Sequence, residues 1–498
     1  MMRVRTLSVA ALVAMAATIT AAGPANAGAA TAVTIEAGQG LATVGANAIG
    51  ADTPFWNGEL LDPRTPGLIR RAGITKLDFD AGGPIDLYHW KTNTISPDPG
   101  GGANPIYAYL KPEYTFDQFE RVAKAAGAST MVHVNYGTGP DSTAAKPTPG
   151  DPAEAAAWVR YANRVRHDNV RYWAVGEETY LDGIGEPDGH AAKTPQEYGK
   201  NLIAYSKAMK RVDQSIKVGA EMWAVNPADT KGSSQKAHFL RRVWEWDKAL
   251  LKTPGIGHAM DFTDIHWLSY GDQTDDQILA VADGIRPAFA DLRQRLDAIR
   301  GAHPIEIVAG EVNSAAAGAP QQSSLANALY LADNNLTLLE NGATGVDWWA
   351  LHSGQQGDEQ HGFGDLALLS SGDCDSATNI CAPPAQTPYP TYYGMQLFAA
   401  VATKGATLLA SSSADAKVSA HATRRPDGSL AVLLINKDGG SSHRISLRLK
   451  GFTARSGATV LRYGQGSRHV ERSYQSGPIG ALTLSPLSIT TLILRPAR

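Results

Sequence analysis

The chain has 498 residues, of which 19% are charged, and its formal net charge at pH 7 is −3. Proteins that bind nucleic acid or anionic membranes usually carry a basic stripe, and this charge balance gives no indication of one. We therefore expect neither partner. The length exceeds what one hydrophobic core usually organises, although a (β/α)8 barrel can occupy roughly 250 to 400 residues, and it predicts one large domain and a smaller one.

The first segment has the pattern of a secretory signal peptide. Arg3 and Arg5 precede an apolar stretch from Leu7 to about Ala22, and Ala25-Asn26-Ala27 is a small-residue cleavage pattern. The apolar stretch is shorter than the roughly 20 residues that a membrane-spanning helix needs. We therefore expect residues 1–27 to be removed and the protein to be secreted and extracellular.

Short β-branched apolar runs then alternate with longer segments of helical periodicity, which is typical of a parallel sheet with crossover helices. The candidate strands are residues 44–51, 76–80, 130–136, 170–177, 216–223, 262–268, 305–311 and 345–351. The candidate helices run from Thr115 to Gly127, from the Asp151-Pro152 cap onward, and near residues 195–213, 234–252, 275–300 and 323–341. Eight such units predict a closed (β/α)8 TIM barrel over residues 40–395.

After the eighth predicted strand, the residue composition and patterning change twice. Residues 352–394 are rich in Gly, Ser and Pro, and we expect them to roof the barrel mouth. They contain both cysteines of the chain, Cys374 and Cys381, for which export predicts a local disulfide. Residues 396–498 read as short alternating segments between turn signals, which predicts an antiparallel β-sandwich domain. Residues 30–39 are a candidate further strand of that domain.

Two predicted strands end in the same way, with an apolar run, a glycine and a carboxylate. Strand four ends at Gly176-Glu177-Glu178, and strand seven ends at Gly310-Glu311. Catalytic residues of such barrels lie at the carboxyl ends of the strands. A carboxyl group buried there without a partner costs free energy, so it is either an ion-pair member or a reacting group.

In these motifs the sequence resembles retaining glycosidases of the (β/α)8 clan A type, and it is most similar to family-51 α-L-arabinofuranosidases and their relatives. The similar segments are Tyr172-Trp173 with Gly176 and Glu178, Ala309-Gly310-Glu311-Val312-Asn313, Asn135-Tyr136-Gly137-Thr138-Gly139, Gly82-Gly83 with Asp86 and Trp90, and Asp347-Trp348-Trp349-Ala350-Leu351-His352. The resemblance implies that Glu178 is the acid/base and Glu311 the nucleophile of a double displacement. Retention needs the two carboxyl groups about 5 to 5.5 Å apart.

Further residues at the strand ends are expected to bind substrate. In the resembled families a His and a Tyr after strand six hydrogen-bond the nucleophile, and His266 and Tyr270 are the candidates here, although Leu268 occupies the aligned tyrosine position. Glu221, which closes strand five, is a rival to either catalytic carboxylate. Neighbouring strand residues point in opposite directions, so only one of Trp348 and Trp349 can face the pocket, and we expect Trp348. The remaining candidates are Trp90, Asn135 and Tyr180.

The chain departs from the resembled families at two places. Glu177 replaces the asparagine that precedes the acid/base, and Asp78-Phe79-Asp80 occupies a segment that usually carries an arginine. A charged Glu177 would favour protonated Glu178 by like-charge repulsion, or accept a hydrogen bond from a sugar hydroxyl; a solvated rim carboxylate is the plainer alternative.

The sequence therefore predicts a secreted retaining glycoside hydrolase that acts on poly- or oligosaccharides, with an α-L-arabinofuranosidase as the leading specificity. A galactofuranosidase, a β-glucuronidase or an endo-β-glycosidase on the same scaffold is the nearest alternative, and a non-catalytic carbohydrate-binding protein is another. The partner is a carbohydrate substrate; neither a metal nor a cofactor is expected, and the oligomeric state is left open.

Overall fold

The computed structural model describes residues 30–96, 111–143, 146, 148–182, 194–268, 273–299, 301, 303–314, 320–356, 363–375 and 378–497. The segment interpreted as a signal peptide and Tyr270 lie outside the described residues. Within the described part of the chain, no helix is both long enough and apolar enough to cross a membrane.

Strands and helices are numbered along the whole chain. The strands are β1 (Thr31–Thr43), β2 (Ile49–Asp52), β3 (Lys76–Phe79), β4 (Tyr88–His89), β5 (Thr94–Ile95), β6 (Ser129–Val134), β7 (Tyr172–Val175), β8 (Lys217–Trp223), β9 (Phe262–Leu268), β10 (Glu306–Asn313), β11 (Ala343–Trp348), β12 (Thr407–Ser413), β13 (Val418–Arg424), β14 (Leu430–Asn436), β15 (His443–Lys450), β16 (Ala454–Gly464), β17 (Glu471–Gln475), β18 (Ala481–Leu484) and β19 (Ser488–Pro496). The helices are α1 (Thr65–Ala72), α2 (Phe116–Ala126), α3 (Pro152–Val159), α4 (Thr179–Asp182), α5 (Pro195–Val212), α6 (Gln235–Leu250), α7 (Ile256–Ala259), α8 (Asp275–Ile278), α9 (Ile285–Asp297), α10 (Leu325–Glu340) and α11 (Pro390–Val401).

Eight parallel strands close into a barrel in the order β10-β11-β2-β3-β6-β7-β8-β9. Because β11 pairs with β2, the last barrel strand of the chain closes against the first. The predicted TIM barrel is confirmed, and β7 and β10 are its fourth and seventh strands in chain order. The carboxyl ends of these two strands, where the two predicted catalytic glutamates lie, therefore open on the same face of the barrel.

Local sequence signals account for several helix ends. Helix α2 begins at a capping box in which the Thr115 side chain accepts from the backbone N–H of Gln118, and it ends at Gly127 in the left-handed region (φ 74°). Asp151 caps α3 by accepting from the N–H of Ala153. The single helix predicted over residues 275–300 is instead broken into α8, a 3₁₀ turn and α9. The break precedes Pro287, whose ring is tolerated only in the first turn of a helix.

The second domain is a nine-stranded, mostly antiparallel sheet in the order β17-β16-β19-β14-β13-β12-β1-β15-β18. The strand β1 is an interior strand of this sheet, antiparallel to β12 and parallel to β15. A second apolar core, with Val33, Ile35, Val432 and Leu492 among its buried members, belongs to this domain. The predicted disulfide between Cys374 and Cys381 is present in the loop before α11.

A buried charge network joins this sheet to the barrel. His421 on β13 contacts Glu340 Oε1 at 2.9 Å through Nδ1 and Asp333 Oδ1 at 2.8 Å through Nε2, and both acids belong to α10. Lys437 Nζ lies 2.7 Å from the other oxygen of Asp333. Burial opposes charge on the His421 ring, but the two carboxylates outweigh it and raise the pKa of His421 to about 10.

This network predicts a pH-dependent part of the stability. Because the folded pKa of His421 lies above the unfolded value of about 6.5, the contribution is complete below that value and is lost as the pH rises through about 10. The wild type should therefore exceed His421→Gln in free energy of unfolding by a few kcal/mol near pH 6, and the difference should shrink toward pH 10. Denaturant unfolding of both proteins across this range tests the prediction, which a constant difference would contradict.

Candidate active site

Glu178 is held at the barrel mouth by an unusual backbone turn after β7. Gly176 adopts φ 81° and Glu178 itself adopts φ 43°, a left-handed conformation that costs a residue with a Cβ roughly 1 kcal/mol or more. A Cβ at position 176 would lie 2.7 Å from the Thr179 side chain, so the turn requires glycine there. Such strain persists only where surrounding contacts enforce it, and it commonly marks a functional site.

A bulge in β10 brings Glu311 to the same place. Ala309 pairs with Ile265 of β9, whereas Glu311 pairs with His266, so Gly310 is an extra residue in β10. A Cβ at position 310 would lie 1.9 Å from an Asp264 oxygen, which excludes any residue but glycine. The bulge therefore places Glu311 directly beside His266.

His266 connects the two predicted catalytic carboxylates. Its Nδ1 lies 3.0 Å from Glu178 Oε1 and 3.7 Å from Glu311 Oε2. Tyr180 on α4 donates its hydroxyl to the same Glu178 oxygen at 2.9 Å. The fourth and seventh strands thus bring their terminal glutamates to one ring nitrogen.

Burial and charge tune this group of residues. Burial raises the pKa of Glu311 well above its ordinary value, His266 opposes the shift, and Glu177 and Glu178 add to it. Burial also disfavours a charged His266 ring, but the carboxylates of Glu177, Glu311 and Glu178 outweigh that cost and raise the pKa of His266. The carboxylates around the ring therefore favour the protonated form of His266.

Exposure separates these two glutamates from their neighbours. The Glu178 side chain is 22% exposed and that of Glu311 is 11% exposed, whereas those of Glu177 and Glu221 are 0% exposed. Glu177 lies beneath the mouth, with Oε1 3.4 Å from His266 Nε2 and Oε2 3.2 Å from His133 Nδ1. The two exposed carboxylates are therefore the ones that a ligand at the mouth can reach, and Glu177 is not a solvated rim residue.

The other predicted binding residues are scattered. Trp90 stacks on Trp158 at 5.9 Å and belongs to the packing around α3. Asn135 holds its own loop through hydrogen bonds with Thr138 and the carbonyl of Tyr88. The contacts named here are those of packing and loop structure, and none of them involves Glu178 or Glu311.

The expectation for Trp348 needs correction. Its ring is 0% exposed, packs on Tyr330 of α10 at 6.1 Å and donates to the carbonyl of Leu366. The alternation of strand side chains therefore turns Trp348 toward the helix layer, where no ligand at the mouth can reach it.

A cavity of about 240 Å³ lies beside the ends of β8 and β9. Trp223 and Trp267 line it, together with Asn226, Asp229 and Gln273. Indole rings beside polar side chains are the combination that sugar-binding pockets use, since one face of a sugar ring is apolar and its hydroxyls are polar.

Most of the polar residues that line the barrel interior were not predicted as site residues from the sequence. Asp78, His133 and Asp264 all have 1% exposure or less and lie on β3, β6 and β9. The signal was present in the two-residue spacing of Asp78 with Asp80 and of Asp264 with His266, because residues two apart on a strand share one face. Three buried groups around these residues bring His and carboxylate ligand atoms within metal-binding range of one another: Asp78, His133 and Asp264; Asp80, His133 and Glu177; Glu177, Glu221 and His266.

Solved structures of other proteins superpose on this chain over nearly its whole length. The crystal structure of α-L-arabinofuranosidase from Thermotoga maritima superposes with a TM-score of 0.68 at 15% identity, covering 93% of this chain and 99% of that one. The chain has the fold of the family-51 arabinofuranosidases. A family-51 arabinofuranosidase from Xanthomonas axonopodis pv. citri gives 0.68 at 16% identity over 94% and 100% of the two chains. A family-44 xyloglucanase from Paenibacillus polymyxa gives 0.64 at 13% identity over 94% and 99%.

Sequence comparison points the same way over a shorter span. A probable α-L-arabinofuranosidase C from Aspergillus fumigatus is 25% identical over 168 residues, and its counterpart from Aspergillus terreus is 25% identical over 166 residues. Each alignment covers 30% of this chain and 30% of the fungal protein. No family model matches the chain. The resemblance inferred from the motifs, to clan A glycoside hydrolases and most of all to family-51 arabinofuranosidases, is confirmed.

Proposed function

We propose that the protein is a secreted retaining glycoside hydrolase that removes α-L-arabinofuranosyl residues from poly- or oligosaccharides. The observation that carries the proposal is the approach of Glu178 and Glu311 to a single His266 nitrogen, at 3.0 and 3.7 Å, from the ends of the fourth and seventh barrel strands. Two carboxylates that face one nitrogen support retention, which needs about 5 to 5.5 Å between the carboxyl groups, over inversion, which needs about 6.5 to 9.5 Å for an intervening water.

In the proposed mechanism each carboxylate has one task. Glu311 attacks the anomeric carbon while Glu178 gives its proton to the departing oxygen, which forms a covalent glycosyl-enzyme. Glu178 then removes a proton from water, which attacks the same carbon and releases the sugar. The hydroxyl of Tyr180 and the Nδ1 of His266 hold the Glu178 carboxyl group in place through its Oε1 atom.

Specificity for an arabinofuranoside is supported by the relatives named above and not by the fold alone, because that fold also occurs in a xyloglucanase. A panel of aryl furanosides and pyranosides tests it, with the anomeric form of the first product read by NMR. We expect the aryl α-L-arabinofuranoside to react fastest and to release a product of retained configuration. An inverted first product would refute the mechanism, and a faster pyranoside would refute the specificity.

Secretion is tested separately by expressing the chain with its own N-terminal segment in a secreting bacterial host. The expected extracellular product begins at Gly28, immediately after the Ala25-Asn26-Ala27 pattern. An uncleaved, cell-associated chain would contradict this part of the proposal.

Glu177→Gln should shift the acid limb of the kcat/KM profile to lower pH. Glu311 must be ionised to attack, and among the carboxylates Glu177 contributes most to raising the pKa of Glu311. Removing that charge lowers the pKa of Glu311, so the active form persists in more acidic solution. Initial rates across pH measure the shift. An acid limb identical to that of the wild type, together with an unchanged substrate preference, would show that Glu177 has no such role.

A further inference from the structure

The interior of the barrel, up to and including His266 and Glu311, contains more acidic than basic groups. Among the described residues, the buried acids lining it are Asp52, Asp78, Asp80, Glu177, Glu221, Asp264, Glu311 and Asp347, and the buried bases are Lys76, His133 and His266. Removing several like charges from water costs several kcal/mol for each one that lacks a partner. Bound cations or protons must therefore neutralise part of this charge.

The basic residues are not distributed evenly among the acids. Lys76 Nζ lies 2.5 Å from Asp347, and His266 is within 4 Å of Glu177, Glu178, Glu221 and Glu311. The group formed by Asp78, His133 and Asp264 has only the His133 ring as its basic member. His133 Nε2 lies 3.3 Å from Asp78 Oδ2 and 3.3 Å from Asp264 Oδ2.

Hydrogen bonding does not account for these contacts. His133 Nε2 and all four carboxylate oxygens of Asp78 and Asp264 are buried without a hydrogen bond. His421, another buried histidine that lies between two acids, shows the contrast: its contacts of 2.8 and 2.9 Å are regular hydrogen bonds to Asp333 and Glu340. In the described part of the chain, both nitrogens of His421 are thus hydrogen-bonded to acids, whereas His133 Nε2 faces two acids without a hydrogen bond.

The opposite side of the His133 ring is already engaged. Its Nδ1 lies 3.3 Å from the carbonyl oxygen of Gly176 and 3.2 Å from Glu177 Oε2. Acceptors on that side favour a proton on Nδ1, so Nε2, which faces Asp78 and Asp264, is the nitrogen that can bind a metal once it has lost its own proton. This is the arrangement in which a histidine bound to a metal donates its second N–H to a carboxylate or carbonyl.

We propose that Asp78 Oδ2, His133 Nε2 and Asp264 Oδ2 bind one divalent transition-metal ion of the Zn²⁺ type. Ligand atoms about 2.0 to 2.1 Å from a tetrahedral Zn²⁺ lie about 3.3 to 3.4 Å from one another, which is the spacing found at both aspartates. One imidazole with two carboxylates suits Zn²⁺ or Mn²⁺ better than Ca²⁺ or Mg²⁺, which prefer oxygen alone. The ion would join β3, β6 and β9 across the barrel interior.

Two sequence departures noted above meet at this histidine. Asp78-Phe79-Asp80 stands where the resembled families carry an arginine, and Glu177 stands where they carry an asparagine. Asp78 faces one nitrogen of His133, and Glu177 and Asp80 face the other, at 3.2 and 3.9 Å. Gly310 in turn leaves the space that the Asp264 carboxylate occupies. Replacing a fixed guanidinium by acids is consistent with an ion that supplies the missing positive charge.

Metal content of the purified full-length protein tests the proposal independently of any enzymatic activity. The wild type and two variants, His133→Gln and His421→Gln, are equilibrated with Zn²⁺, freed of unbound metal by gel filtration and analysed by mass spectrometry for zinc. We expect about one ion per chain in the wild type and in His421→Gln, and below about 0.2 in His133→Gln. Equal zinc content in His133→Gln and the wild type, or a metal-free wild type, would overturn the proposal.

A second measurement decides the question if His133→Gln does not fold. Crystals of the zinc-equilibrated wild type, measured at the zinc absorption edge, should show one anomalous peak about 2.0 to 2.1 Å from His133 Nε2. A peak elsewhere, or none, would mean that protons and not a metal neutralise the buried acids.

Discussion

Glu311→Ala is expected to lower kcat/KM for an aryl α-L-arabinofuranoside by about 10⁴-fold or more, because the covalent step then has no nucleophile. The neighbours of Glu311 cannot substitute for it, since the side chains of Glu177 and Glu221 are fully buried. Steady-state rates with purified protein measure the loss. Added azide should restore part of the rate and give a glycosyl azide of inverted configuration, because the small anion occupies the vacated space and attacks from the same side.

The matched control for this variant is Glu306→Gln, on the same strand. Glu306 begins β10, at the opposite end from the mouth, where it forms an ion pair with Lys217 and accepts from the Tyr172 hydroxyl. We expect Glu306→Gln to lower stability and to keep near wild-type kcat/KM. A Glu311→Ala protein that keeps its activity would remove Glu311 from the mechanism, and activity lost on Glu221→Gln but not on Glu311→Ala would transfer the role to Glu221.

Glu178→Gln is expected to discriminate between substrates by their leaving groups. The alcohol released from an oligosaccharide or alkyl arabinofuranoside would depart as a basic alkoxide unless it receives a proton. For these substrates kcat/KM should therefore fall by about 10² to 10⁴-fold. A dinitrophenyl arabinofuranoside has a stable leaving anion, so its kcat/KM should fall far less, while kcat falls because no base activates the water of the second step.

The comparison of the two substrates makes this prediction specific. Loss of the same size for both leaving groups would mean that Glu178 acts only by holding the site together. The Tyr180→Phe variant is a useful companion, because it removes the hydroxyl that donates to Glu178 Oε1 and leaves the carboxylate in place. We expect a smaller loss of kcat/KM from Tyr180→Phe than from Glu178→Gln.

The sequence predicts the fold well because the signals that determine it are local. The apolar β-branched run at residues 262–268 predicts strand β9 with the bounds that the structure has. Capping by Thr115 and Gly127 likewise delimits α2. The positions of Glu178 and Glu311 followed from the rule that strand ends bear the chemistry. These inferences need only the composition of short segments and the count of strands.

The finer arrangement of the site depends on contacts that no short segment contains. The bulge at Gly310, which sets Glu311 beside His266, is a shift of register between two strands and has no signature in either alone. The meeting of Asp78, Glu177 and His133 requires three strands to close around one interior. The predicted orientation of the Trp348 side chain was wrong for a related reason. Strand alternation tells which residues share a face, but it does not tell which face points into the barrel.

The position of β1 has a consequence for how the chain reaches its folded state. The first described strand, Thr31–Thr43, lies between β12 and β15, so it pairs with segments that are synthesised only after the entire barrel. The edges of β12 and β15 stay open until the chain's two ends meet, and open edges are sites of aggregation. The sheet of the small domain therefore includes the candidate strand near residues 30–39, and it is completed only when the C-terminal strands pair with β1.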